Sequence, residues 1–186
     1  MKQLALKNSL CAVCALAVLA ALLVVGVGTA GASATGGAAF VPPPPPPKKA
    51  KVVDGKAIAP RNAPAAVKRI IRAGNRLIGK PYRWGGGHAS LSKLDRGYDC
   101  SGTISYALNG ARLMRSPLTS GAFMSWGRVG PGKWVTVYAH GGHAYLVVAG
   151  LRIDTGYRDD PSRTGPQWSK RLRKSDAFQA RHPRGL

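Results

Sequence analysis

The chain contains no glutamate, and its seven acidic residues are all aspartate, set against 28 lysines and arginines. The formal charge is +21. Such an excess bears on solubility and partners, not on fold. Cysteine is nearly absent as well: Cys11 and Cys14 lie in an apolar N-terminal run, and Cys100 stands alone in the remaining chain. A fold stapled by several disulfides is thereby excluded. No internal repeat is found, and no DNA-reading motif accompanies the basic run from Lys170 to Lys174. A phosphate loop is excluded too. Gly74 to Lys80 fits G-x-x-x-x-G-K, but Pro81 replaces the hydroxyl residue and Gly74 falls inside a helical pattern instead of after a strand.

What is present begins with the N-terminus. Lys2 and Lys7 form a basic region, an apolar run extends from Leu10 to Val27, and Ala32-Ser33-Ala34 supplies a small-residue cleavage site. This is the order of a secretory signal peptide, assigned to residues 1–34. An uncleaved membrane anchor is the other reading of a run this long. Neither Cys11 nor Cys14 sits in a lipobox; both read as small apolar residues of the run. Residues 35–61 form a Gly/Ala/Pro-rich and then Lys-rich linker, whose run from Pro42 to Pro47 favours polyproline II geometry. Val52 to Pro60 is expected to lie as an arm over the domain. For the charge, nucleic acid, an anionic membrane and an anionic bacterial wall are the candidate polyanions. The export signal argues against nucleic acid. Coding bias toward Arg, Ala, Gly and Pro accounts for the same excess with no partner at all.

The folded domain is expected over residues 62–186, one domain of ordinary size. Asn62 is positioned to cap a helix with Pro64 in its first turn. Val67, Ile70, Ile71, Gly74, Leu77 and Ile78 recur at helical spacing, and Gly79 and Pro81 end the pattern. A second helix is expected from Cys100 or Ser101 to Leu108. Trp134 to Tyr138, Ala144 to Val148 and Leu151 to Asp154 read as strands, with Ala149-Gly150 as a tight turn. Helices first and strands later point to an α+β domain with an antiparallel sheet.

Chemistry concentrates at Cys100, in Tyr98-Asp99-Cys100-Ser101-Gly102, where a loop enters a helix. A thiol there faces unpaired backbone N–H groups and the positive end of the helix dipole, and both favour the thiolate. The same N–H groups can receive an oxyanion. A thiolate nucleophile needs an imidazole and a group that orients it. His143 opens an apolar strand, and the turn at Ala149-Gly150 returns Asp154 beside it, where a carboxylate can hold the imidazole tautomer. His88, His140 and His182 carry weaker signals. His140, His143 and Asp154, with or without His88, are also the set that a zinc-dependent wall peptidase or amidase would use. That alternative leaves the lone Cys100 unexplained.

These residues reach a known family. Lys80-Pro81-Tyr82-Arg83-Trp84-Gly85-Gly86, Tyr98-Asp99-Cys100-Ser101-Gly102 and Gly142-His143-Ala144-Tyr145 resemble, in order and spacing, the successive motifs of NlpC/P60 cell-wall peptidases. The resemblance covers roughly residues 65–156, and more loosely the tail to His182-Pro183. It implies a papain-like α+β fold with N-terminal helices packed on an antiparallel sheet. It implies a thiol protease that hydrolyses stem-peptide amide bonds of peptidoglycan, the γ-D-glutamyl bond to a diamino acid first among them; with the N-terminal export signal, the expected location is secreted and wall-associated. Carried over, Cys100 is the nucleophile, His143 the base and then acid, and Asp154 the third residue, a position where the family often has His. Tyr82 resembles the tyrosine near the oxyanion, and Asp99 and Ser101 resemble positions lining the subsite for the peptide's N-terminal portion. No cofactor and no metal are called for. The expected partners are peptidoglycan stem peptides, with anionic wall polymers in addition. Ala111 to Lys133 departs from shorter family members, and Trp126 and Trp134 within and after it are candidates for lining the cleft or for the core. A catalytically silent wall-binding module is the reading from a different class; it gives Cys100, His143 and Asp154 no reason to be together.

Overall fold

The structure is a computed structural model that describes residues 49–156 and 164–186. The expected signal segment and the polyproline stretch lie outside the described residues. Among the described residues, no helix is long and apolar enough to cross a membrane.

The first element is a two-stranded hairpin, β1 (Lys51–Val53) and β2 (Lys56–Ile58). It falls in the segment expected to act as an arm, and it is held to the next helix by a side chain. Asn75 accepts from the Ala57 N–H at 2.9 Å and returns its own amide N–H to the Ala57 carbonyl at 2.9 Å. Ala50 and Ala57 bury their methyl groups in the main core.

Helix α1 (Ala65–Asn75) buries Val67, Ile70, Ile71, Ala73 and Gly74 and leaves Arg69 and Arg72 exposed. Its cap differs from the expected one. Pro64, not Asn62, occupies the N-cap, and no side chain caps the helix. Pro has no N–H to satisfy and a φ already fixed, so it can precede the first turn without a capping partner. The helix also ends sooner than its apolar period. The Arg76 and Leu77 N–H groups bond to Ala73 and Gly74, three residues back, and the last turn tightens. Leu77 is still fully buried, which is why the helical spacing runs past the helix end.

Helix α2 (Cys100–Asn109) is buried on all sides from Ser101 to Leu108. Its buried hydroxyls are satisfied locally, Thr103 donating to the Asp99 carbonyl at 2.7 Å and Ser105 accepting from the Leu118 N–H at 3.1 Å, so α2 can lie between α1 and the sheet. The short α3 (Ser120–Phe123) drives Phe123 into the same core.

Among the described residues, six further strands follow: β3 (Arg128–Val129), β4 (Val135–His140), β5 (His143–Val148), β6 (Leu151–Asp154), β7 (Gln167–Ser169) and β8 (Gln179–His182). Their order is β3-β8-β4-β5-β6-β7, and every pairing is antiparallel. The expected α+β class, with helices on an antiparallel sheet, is what the chain adopts. The strands expected from alternation and β-branching are β4, β5 and β6. The unexpected β3, β7 and β8 are short and mostly polar, because they lie toward the sheet edges and bury few side chains. Ala149 and Gly150 both have positive φ, 47° and 79°, as a two-residue hairpin turn requires.

Candidate active site

Two loop segments are strapped together to present Cys100. The Tyr98 N–H donates to the Pro81 carbonyl at 3.0 Å, the Arg83 N–H to Tyr98 at 3.2 Å, and the Asp99 N–H to Gly86 at 3.2 Å. The fit leaves no space at Gly102, where a Cβ would fall on the Gly86 carbonyl oxygen. Tyr98 is fully buried beneath this junction, and its hydroxyl accepts from the Asp95 N–H at 2.9 Å.

Asp99 is the N-cap of α2. Its Oδ1 accepts from the Gly102 N–H at 2.7 Å, from the Ser101 hydroxyl at 3.1 Å, and lies 3.0 Å from His88 Nε2. Its Oδ2 accepts from the Gly85 N–H at 3.1 Å. A carboxylate only accepts, so Nε2 of His88 is the protonated nitrogen in this contact. Asp99 is thus a cap and a hub, tying α2, the glycine loop and His88 to one point.

Cys100 is the first residue of α2, half-buried and a free thiol. His143 is the first residue of β5, paired with His140 across the Gly141-Gly142 turn. Asp154 is the last residue of β6. The β5–β6 register pairs Leu146 with Ile153, so the far ends of the two strands meet. Nε2 of His143 lies 2.8 Å from Asp154 Oδ1. Cys100 lies near enough to the ring to raise its pKa together with Asp154.

Two opposed effects set the charge of His143. Burial pushes the imidazolium down, but the hydrogen bonds and charges of Asp154 and Cys100 outweigh it and raise the pKa from 6.5 to about 9. Burial likewise pushes Asp154 up, yet His143, the Gly156 N–H and Arg152 hold its carboxyl below the ordinary value. Its Oδ1 accepts three donors: His143, the Thr155 N–H at 2.7 Å and the Gly156 N–H at 3.0 Å. Its Oδ2 faces Arg173 Nη1 at 3.0 Å and Arg152 Nε at 3.5 Å. A buried carboxylate so surrounded stays ionised and fixed in direction.

Cys100 opens onto a cleft of about 400 Å³. Trp84, Gly85 and His88 form one wall, and the segments Thr119 to Gly121 and Gly141 to Gly142 form the other. Trp84 is 86% exposed, a flat ring standing at the rim. Tyr82 is partly exposed, and its phenol is raised first by burial and then by the nearby charges of Cys100 and Asp99.

Cys100, His143 and Asp154 are therefore together, and Tyr82, Asp99 and Ser101 surround the thiol. Trp126 and Trp134 do not line the cleft. Trp134 is buried in the main core, and Trp126 packs edge-on against Phe123 at 5.9 Å. The long stretch from Ala111 to Lys133 reaches the cleft instead through Thr119, Ser120 and Gly121. Sequence reasoning did not place His88 beside Asp99, nor Arg173 beside Asp154. The i+2 separation of Asp99 and Ser101 around Cys100 was the only local signal for the first, and a mid-run arginine in a basic tail carries no signal for the second. The zinc set does not converge: no group of three or more His, Cys, Asp or Glu able to hold a metal occurs among the described residues.

No protein-family model and no curated protein matches the chain. Solved structures do, and these neighbours are NlpC/P60-domain proteins. The resuscitation promoting factor interacting protein RipA is 22% identical over 73% of this chain and 69% of its own, with a TM-score of 0.49. The peptidoglycan hydrolase RipB of Mycobacterium tuberculosis is 26% identical over 66% of this chain and 67% of its own, with a TM-score of 0.47. RipD of the same organism, a non-catalytic NlpC/P60 domain protein adapted to peptidoglycan binding, is 21% identical over 64% of this chain and 98% of its own, with a TM-score of 0.47. At TM-scores of 0.47 to 0.49 these overlaps are partial, and residue roles do not transfer through them.

Proposed function

We propose that this chain is a secreted cysteine peptidase of the NlpC/P60 type that hydrolyses stem-peptide amide bonds of peptidoglycan, the γ-D-glutamyl bond to a diamino acid being the expected one. The observation that carries the reading is one imidazole, His143, held between a buried carboxylate, Asp154, and a thiol, Cys100, at the head of a helix facing an open cleft.

The chemistry follows from that arrangement. Cys100 sulfur attacks the substrate carbonyl carbon, and the carbonyl oxygen becomes an oxyanion. Backbone N–H groups of the first turn of α2 and the Tyr82 hydroxyl are the donors available to it. The C–N bond breaks, His143 gives its proton to the departing amine, and a thioester remains on Cys100. Water then loses a proton to His143 and attacks the thioester carbon, the C–S bond breaks, and the Cys100 thiolate leaves as the acid product is released, restoring the thiolate and protonated imidazole. A His143 pKa near 9 suits the first half, because the imidazole holds the proton it must donate at neutral pH. Asp99, Ser101 and His88 offer a polar wall beside the sulfur for the peptide's N-terminal portion.

The basic N-terminal region, apolar run and Ala32-Ser33-Ala34 support export with a mature N-terminus at Thr35. The test is digestion of diaminopimelate-type peptidoglycan followed by mass spectrometry of the released fragments. Release that iodoacetamide abolishes and EDTA leaves intact is the expected result. The reverse inhibitor pattern would transfer the case to a zinc enzyme.

A further inference from the structure

Asp154 is wholly enclosed, with no side-chain surface exposed to solvent. Its Oδ1 is committed to His143 and to the Thr155 and Gly156 amides, and these two amides fix its direction. The electrostatics of the site then turn on Oδ2. Arg173, which follows β7 in the chain and belongs to no strand, donates Nη1 to that oxygen at 3.0 Å and to the Gly156 carbonyl at 3.4 Å. Its guanidinium lies over two rings, 5.7 Å from the centroid of Tyr145 and 5.6 Å from that of Phe178. Arg173 and the imidazole both border Gly156. A Cβ placed on Gly156 would meet His143 Cε1 at 3.2 Å and Arg173 Nη1 at 3.3 Å, so one glycine separates cation and ring.

We propose that Arg173 is a positioning residue of this site, one that neutralises the second oxygen of Asp154 and thereby sets how tightly His143 keeps its proton. The inference rests on the reading of Cys100, His143 and Asp154 as a peptidase site. An unbalanced Asp154 would stabilise the imidazolium further, and a proton held too tightly is a poor gift to a leaving amine. Arg173 limits that stabilisation from behind, without touching substrate or sulfur. Among the described residues, the other groups facing the pair are Arg152 on β6, Tyr145 on β5, His140 on β4 and Cys100 on α2. Arg152 reaches Oδ2 at 3.5 Å and supports the same balance from the strand side. His140 stands 6.4 Å from the His143 ring, tilted against Phe178.

The test is NMR titration of the His143 imidazole in the full chain, assigned with a His143→Gln variant. Arg173→Gln keeps a hydrogen-bond donor for Oδ2 and removes the charge. Its His143 midpoint is expected to rise by about one pH unit, the effect of losing one nearby like charge. Arg173→Met retains the stem that packs on Tyr145 and Phe178 and should show the same rise, so one poorly folded variant does not end the test. Arg173→Lys keeps the charge and should stay near wild type. On an Asp154→Asn background, Arg173→Gln should move the midpoint far less. The alkaline limb of the kcat/KM profile should move with the midpoint, which a merely structural residue would not cause. A midpoint unchanged or lowered in both Gln and Met variants overturns the proposal. Peptidoglycan hydrolysis with an unmoved midpoint removes the role of Arg173 alone. A moved midpoint in a chain that releases no stem peptide removes the peptidase reading and leaves the electrostatic role of Arg173 intact.

Discussion

His143 and Asp154 stand at the facing ends of two adjacent strands, and their side chains meet at 2.8 Å with Asp154 fully enclosed. The sequence separation of 11 residues is made by the hairpin alone: six residues of β5, a two-residue turn and four of β6. The contact is therefore rigid, and its energetic consequences are open to measurement.

The three residues of the cluster should differ in how much activity their loss removes. Cys100→Ala takes away the nucleophile and should abolish turnover while leaving the fold intact. His143→Ala should be nearly as severe, because the imidazole both supports the thiolate and protonates the leaving amine. Asp154→Asn should leave measurable activity, with a loss on the order of 10 to 10⁴-fold, the upper end being the cost of a misheld tautomer in a serine triad. Steady-state kcat/KM on one muropeptide, with circular dichroism as a folding control, checks the order. Wild-type kinetics in Asp154→Ala would remove Asp154 from the mechanism.

The same contact links stability to pH. His143 is raised from 6.5 to about 9, so its contribution is complete below its ordinary value and is lost as pH rises through 9. Asp154 is lowered, so its contribution is present above its ordinary 3.8 and is lost as pH falls through the depressed value. Both are complete only between about 3.8 and 6.5, and urea unfolding across pH should be most resistant in that window as far as this pair is concerned. Asp154→Asn should flatten the alkaline slope between 6.5 and 9. A slope unaffected by Asp154→Asn would show that the ion pair does not supply it. Activity should also fall above pH 9, as the proton for the leaving amine is lost.

Gly102→Ala tests the junction of the two motif loops. Its methyl group would fall on the Gly86 carbonyl oxygen, a backbone atom that cannot rotate away. Overpacking of this kind costs about 1–3 kcal/mol. The melting temperature should drop by several degrees, and activity should drop more than stability explains, because Gly86 also accepts the Asp99 N–H that sets the head of α2. An unchanged melting temperature would mean that the loops separate freely.

The basic surface is tested by salt. The exposed Arg69 and Arg72 of α1 and the exposed Lys170, Arg171 and Lys174 contribute to the formal charge of +21, two lysines of which, Lys2 and Lys7, lie in the expected signal segment. If that charge retains the protein on anionic wall polymer, sedimentation with isolated walls should fall steeply between about 50 and 200 mM salt. Binding indifferent to salt would leave compositional bias as the explanation of the charge.

The sequence by itself determined the α+β class, the buried α2 with Cys100 at its head, and the hairpin that returns Asp154 to His143. Each of these rests on local periodicity or on a short turn, where neighbours in sequence are neighbours in space. Tertiary structure alone decided the rest. Polar β8 enters the sheet between β3 and β4 because the backbone of β4 offers an unpaired edge, a demand invisible in the residues of β8 themselves. Trp134 went to the core and Trp84 to the rim, because only the packing of the folded chain says which ring is covered. Arg173 reaches Asp154 across 19 residues through a chain segment with no apolar pattern. Its place follows from an enclosed carboxylate oxygen that needs a cation, and that need exists only once the strands have closed around it.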